Sequence, residues 1–133
     1  MMRILIADDN ERVRRGVRRI LSCEANYQVC GEAVDGADAL RKARELSPDL
    51  ILLDVSMPGP DGLETARLLR RETPKVKVII MSQHDPVQLL PRAIEAGADG
   101  CVDKSRLDAD LLATIQSIES TSNAPKTPAK KNR

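Results

Sequence analysis

Residues 50–54 read Leu-Ile-Leu-Leu-Asp. A strand with one wet face alternates apolar and polar residues; a run without a polar residue is the pattern of a strand covered on both faces. Such strands belong to parallel sheets sandwiched between helices. The run is closed by an acid, Asp54. In an open parallel sheet, ligands bind beyond the carboxyl ends of the strands.

Working outward, the same kind of segment recurs. Apolar runs stand at Ile4–Ala7, Val29–Ala33 and Val76–Met81, with a weaker one at Gly100–Val102. Between them lie helical periodicities. Val13, Val17, Ile20 and Leu21 share a face. Ala37, Leu40, Ala43, Ala39 and Leu46 form a stripe that Ser47-Pro48 stops. Leu63, Ala66, Leu68 and Leu69 line a third helix, opened by Asp61 with Glu64 three residues on and ended by Thr73-Pro74. Leu111, Leu112, Ile115 and Ile118 line the last, from about Asp108 to Ser120. The fourth is awkward: Asp85-Pro86 reads as a helix start, Pro91 falls inside, and Gly97 ends it. Either the helix is kinked there or it starts near Pro91. Five β-α units with right-handed crossovers predict an α/β fold: a five-stranded parallel, doubly wound sheet, flavodoxin-like, with strand order 2-1-3-4-5.

With 133 residues, the chain holds one domain, at roughly 100–200 residues each. The domain is expected over 1–120 and a disordered basic tail or linker over 121–133. The net charge is +1, yet Lys126, Lys130, Lys131 and Arg133 stand in the tail without an acid, so residues 1–120 are net acidic. An acidic body is a poor electrostatic match for DNA. Tyr27 is the single aromatic residue, which argues against stacking platforms for single-stranded nucleic acid. No apolar run approaches the ~20 residues of a membrane span. The odd set Cys23, Cys30 and Cys101 reads as reduced, buried thiols in a cytoplasmic protein.

The residues that follow the strands carry the chemistry: Asp8 and Asp9 after the first, Asp54 after the third, Ser82 after the fourth, Asp103 and Lys104 after the fifth. Each alone is an ordinary cap or turn residue. Together, three carboxylates in one crevice repel, by roughly 3–4 kcal/mol per pair at 4–5 Å and an effective dielectric near 20. Either one stays protonated or a hard cation sits among them. Few ligands, all oxygen, suit Mg²⁺ with retained waters. A cleft with Mg²⁺, Lys104 and the Ser82 hydroxyl suits a phosphoryl group, with Asp54 as in-line nucleophile.

Over residues 2–120 the chain resembles the response regulator receiver domain of two-component signalling, CheY-like and nearest in detail to NarL/FixJ-type receivers. The motifs are Ile-Leu-Ile-Ala-Asp8-Asp9, Asp54-Val-Ser-Met57-Pro58-Gly-Pro-Asp61-Gly62, Val-Ile-Ile-Met-Ser82 and Ala96-Gly-Ala-Asp-Gly100-Cys-Val-Asp-Lys104. The resemblance implies that Asp54 accepts a phosphoryl group from a sensor histidine kinase or a histidine phosphotransfer protein. It implies that Asp9, Asp8 partly through water, Asp54 and the Ser56 backbone carbonyl hold Mg²⁺. Lys104 would pair with phosphoryl oxygens. Ser82 would move to the phosphorylated aspartate and remodel the helix 4–strand 5–helix 5 face, which signals to a downstream protein. Cys101 stands where receivers often carry an aromatic switch residue. Ser56 and His84 stand at positions that tune phosphoryl lifetime; His84 is either a plain loop residue or a pH-sensitive neighbour of the attacking water.

Such a chain is a signalling switch, not an enzyme with an external substrate. A Mg²⁺-dependent aspartyl phosphatase is the poorer match, because the general acid needed two residues after the nucleophile is here Ser56. A pseudo-receiver, a binding module without phosphorylation, draws support from Cys101 alone. Arg12, Arg14, Arg15, Arg18 and Arg19 are either a solvated face or a docking surface for the kinase. Met57 and Met81 read as packing residues. DNA contact is expected only through a domain absent from these residues. The tail either begins a linker to such a domain or ends a stand-alone receiver, the latter slightly favoured. A homodimer linked to phosphorylation fits the family, and no membrane contact is expected.

Overall fold

The computed structural model describes residues 1–56, 62–83 and 86–123. Strands β1 (Met2–Ala7), β2 (Tyr27–Ala33), β3 (Leu50–Asp54), β4 (Lys77–Ser82) and β5 (Gly100–Asp103) alternate with helices α1 (Glu11–Leu21), α2 (Gly36–Leu46), α3 (Gly62–Glu72), α4 (Pro86–Glu95) and α5 (Leu107–Asn123). All pairings are parallel, in the order β2-β1-β3-β4-β5. The flavodoxin-like topology is as the run pattern implies.

The aliphatic runs are continuous because each strand feeds two cores. Ile4, Ile6, Leu50, Leu52, Ile79 and Met81 pack with α1 and α5; Leu5, Ala7, Ile51, Leu53, Val78 and Ile80 pack with α2, α3 and α4. Successive side chains on a strand point to opposite faces, so both parities must be apolar. Met81 is fully buried, as a packing residue should be; Met57 lies outside the described residues.

Several details depart from expectation. Ala37 is exposed, and α2 buries Gly36, Ala39 and Ala43 instead. Val76 is buried but precedes β4, its N–H bonding back to the Thr73 carbonyl at 3.1 Å. The α4 helix runs from Pro86 through Pro91, so residues 86–90 are helical rather than an irregular lead-in. It ends at Glu95, and Gly97, two residues on, turns the chain with a φ of 97° that suits a residue without Cβ. Cys23 is exposed, and Cys30 and Cys101 are only half-buried. Cys23 follows the last turn of α1, and Cys30 sits where the β1–β2 register slips between Ile4 and Leu5. The last helix continues to Asn123, three residues past the expected end, while 124–133 lie outside the described residues. So do Asp61, His84 and Asp85.

Tyr27 ties the start of β2 to the end of α5 by donating to Glu119 Oε1 at 2.7 Å. Burial and the adjacent carboxylate push its phenol pKa well up, so it stays the donor. Tyr27→Phe should cost about 1 kcal/mol in urea unfolding, since Glu119 is left free to hydrate.

Candidate functional site

Asp8 follows β1 and Asp54 ends β3, two neighbouring strands in the middle of the sheet. Both are fully buried, a costly place for a carboxylate. Local main chain holds one oxygen of each. The Asn10 N–H donates to Asp8 Oδ1 at 2.8 Å. The Ser56 N–H and hydroxyl donate to Asp54 Oδ1 at 3.1 and 2.9 Å.

The other oxygens face the strand end. Asp8 Oδ2 and Asp54 Oδ2 are buried without a hydrogen bond of normal geometry. Lys104, which follows β5 at the sheet edge, brings its ammonium within 3.0 Å of Asp8 Oδ2 and 3.3 Å of Asp54 Oδ2. Its side chain is 8% exposed. Burial pushes the Asp8 carboxyl up, and nearby Asp54 adds to this, while the Asn10 N–H and Lys104 pull it back; the net is upward. Burial works to lower Lys104, but the two carboxylates outweigh it and hold the ammonium above its usual range.

One cation for two buried carboxylates leaves net negative charge, and Asp9 adds to it. Asp9 is exposed, and one oxygen each of Asp8, Asp9 and Asp54 lies within 4.8 Å of the others. Three carboxylates sharing one ammonium, in an all-oxygen set, fit a hard divalent cation that keeps part of its water.

The remaining candidates fall as follows. Ser82 ends β4, is fully buried, and pairs in register with Asp103, next to Lys104. Cys101 pairs with Ile80, two residues before Ser82, and burial pushes its thiol up to about 11. Asp103 does not join the acidic cluster. It caps the short turn Lys104–Arg106, accepting from the Ser105 N–H and hydroxyl at 2.9 and 2.8 Å. The arginines of α1 divide: Arg12, Arg15 and Arg19 are exposed, whereas Arg14 and Arg18 pair with Glu32 of β2.

Sequence reading did not reveal the parts that three residues play. Asn10 caps α1, accepting from the Arg12 N–H at 2.8 Å, and its own N–H orients Asp8. Arg14 donates to the Asp8 carbonyl at 2.7 Å. Gly62 brings the first turn of α3 against the end of β3, its N–H donating to the Val55 carbonyl at 3.2 Å. An Asn before a helix is a readable cap signal. The other two carry no local signal.

A family model described as "Response regulator receiver domain" matches residues 4–116. The response regulator GacA of Pseudomonas viridiflava is 39% identical over 118 residues, covering 89% of this chain and 55% of that protein. The response regulator UvrY of Escherichia coli K12 is 38% identical over 120 residues, covering 90% and 55%. The chain thus spans about half the length of these curated relatives. Among solved structures, a LuxR-family two-component response regulator from Aurantimonas superposes with a TM-score of 0.85 at 36% identity, covering 91% of this chain and 86% of that one. Among the described residues, no helix is long and apolar enough to cross a membrane.

Proposed function

This chain belongs to the response regulator receiver family of two-component signalling, and from that premise we propose that Asp54 is its phosphoryl acceptor and Lys104, Asp8, Asp9 and Ser82 its working partners. The observation that carries the reading is the buried Asp8–Lys104–Asp54 triad, in which one ammonium faces two fully buried carboxylates with Asp9 close by. In the transfer, an Asp54 oxygen attacks phosphorus. An oxygen–phosphorus bond forms, the donor's phosphorus–nitrogen bond breaks, and the histidine imidazole leaves. The Lys104 ammonium neutralises charge on the phosphoryl oxygens. Asp8, Asp9, Asp54 and the Ser56 carbonyl would hold Mg²⁺, which when bound offsets the repulsion between carboxylate and incoming phosphoryl group. Ser82 supplies a hydroxyl to the product.

The donor is a sensor histidine kinase or histidine phosphotransfer protein, in the cytoplasm. The chain changes its own surface and turns over no external substrate. Its output face is α4–β5–α5, where Val87, Leu90 and Ile94 are 77%, 37% and 57% exposed and recur at helical spacing. A downstream protein or a second copy of the receiver engages that face. DNA is reached only through a domain outside these residues.

The test is intact mass after incubation with acetyl phosphate. The chain should gain a single phosphoryl group with Mg²⁺ and none with EDTA, and Asp54→Ala should gain none. A gain that survives Asp54→Ala would place the acceptor on another residue.

A further inference from the structure

Arg14 stands about one turn into α1, yet its side chain reaches back under the acidic turn. Its Nη1 donates to the Asp8 carbonyl at 2.7 Å, and its Nε donates to Glu32 Oε1 at 2.7 Å. The side chain is only 14% exposed. Glu32 is itself braced: Arg18 pairs with its other carboxylate oxygen, and Lys42 of α2 donates to its carbonyl. It sits on β2 in register with Ile6, two residues before Asp8.

The contact matters because of what the Asp8 carbonyl belongs to. The Asp8 C=O and the Asp9 N–H are parts of one rigid peptide plane. Fixing that oxygen fixes the direction in which the chain leaves Asp8 and therefore where Asp9 begins. The Asp8 N–H is already held by the Ala33 carbonyl at 3.0 Å, and Oδ1 by Asn10. Arg14 supplies the remaining restraint on the turn and leaves Oδ2 turned toward Asp54 and Lys104. A charge-assisted hydrogen bond from a planar, two-sided donor suits such a task.

We propose that Arg14, braced by Glu32, is a positioning residue for the divalent cation: it sets the Asp8–Asp9 peptide plane so that both carboxylates converge with Asp54. This rests on the reading of the acidic cluster as a Mg²⁺ site. The sign of the effect separates it from simple electrostatics. Removing a cation near the cluster should by itself tighten Mg²⁺ binding. Removing a positioning group should loosen it, and orienting partners of metal ligands typically contribute 10–100-fold in affinity.

The experiment titrates the whole unphosphorylated chain with Mg²⁺, following the amide resonances of residues 8–10. Wild type is compared with Arg14→Ala, Glu32→Ala, their double variant and Arg18→Ala. Arg14→Ala should raise the Mg²⁺ Kd about tenfold. Glu32→Ala should raise it in the same direction, and the double variant no further than Arg14→Ala. Arg18→Ala removes a charge and one brace from Glu32 but leaves Arg14 on both Glu32 and the Asp8 carbonyl, so its Kd should change far less than that of Arg14→Ala. An unchanged or lower Kd in Arg14→Ala overturns the proposal, as does an equal loss in Arg18→Ala. If Arg14→Ala does not fold, Arg14→Lys, which keeps the charge but not the planar fork, takes its place: a raised Kd supports the proposal and a wild-type Kd overturns it. A wild type that binds no Mg²⁺ refutes the cation reading itself, and this inference with it.

Discussion

Lys104→Met should lose about 3–5 kcal/mol of stability in urea unfolding at neutral pH with EDTA present, the usual consequence of removing one partner of a buried ion pair. Lys104 is the ammonium in contact with two fully buried carboxylates. Methionine fills much the same volume, so the loss is one of charge. The pH dependence has a definite sign. The Asp8 carboxyl is raised above its unfolded value even in the wild type, chiefly by burial, and without the ammonium it rises further. A carboxyl raised in the folded state binds protons more tightly there than in the unfolded chain. Stability therefore grows as pH falls through the raised value. The deficit of Lys104→Met against wild type should shrink on acidification below neutrality. Asp8→Asn in the Lys104→Met background should recover part of the loss at pH 7 and flatten that dependence. A deficit that is constant with pH would mean the carboxylates do not depend on Lys104. Phosphorylation by acetyl phosphate should also fall sharply, because the cation that meets the phosphoryl oxygens is gone.

Gly62→Ala should destabilise the domain by about 3 kcal/mol and impair phosphorylation together. A Cβ at Gly62 would lie 2.3 Å from the Val55 Cα and 2.8 Å from the Asp54 carbonyl oxygen. Both are main-chain atoms, so no side-chain rotation relieves the clash. The start of α3 must back away from the end of β3, and the segment that presents Asp54 shifts with it. Gly16 is the internal control. It lies in the middle of α1, where a Cβ would meet no atom within 4 Å beyond its own helix backbone and chain neighbours. Gly16→Ala should therefore stabilise by about 0.5–1 kcal/mol through helix propensity alone. Circular dichroism melts of the two variants should move in opposite directions. If Gly62→Ala melts like the wild type, the close approach of α3 to β3 is not as described.

The sheet was readable because burial on both faces forces an unusual composition. Leu50–Leu53 can only be central, and Asp54 can only lie at an opening. The convergence of Asp8, Asp54 and Lys104 was legible from topology, since the carboxyl ends of parallel strands lie along one edge of the sheet. What resisted reading was geometry that side-chain type does not encode. Gly62 looks like any turn glycine until its neighbour's main chain is in place. Arg14 is one of five arginines on α1, and its distinction comes from Glu32, eighteen residues on in the chain. Asp103 has the same sequence credentials as Asp9 but turns away to cap its own turn. Ala37 misleads because alanine is at home on either face of a helix. The cysteines mislead because a small, weakly polar side chain does not demand burial.

The Tyr27–Glu119 hydrogen bond gives the molecule a property of a different kind. With no tryptophan or phenylalanine, all its near-ultraviolet signal comes from one phenol, and that phenol is bonded to a carboxylate at the far end of α5. A tyrosine donating to a carboxylate is a dim fluorophore, and it brightens when the bond opens. The domain therefore carries a built-in optical gauge of whether the last helix is seated on the sheet, readable without any label and free of background from other rings.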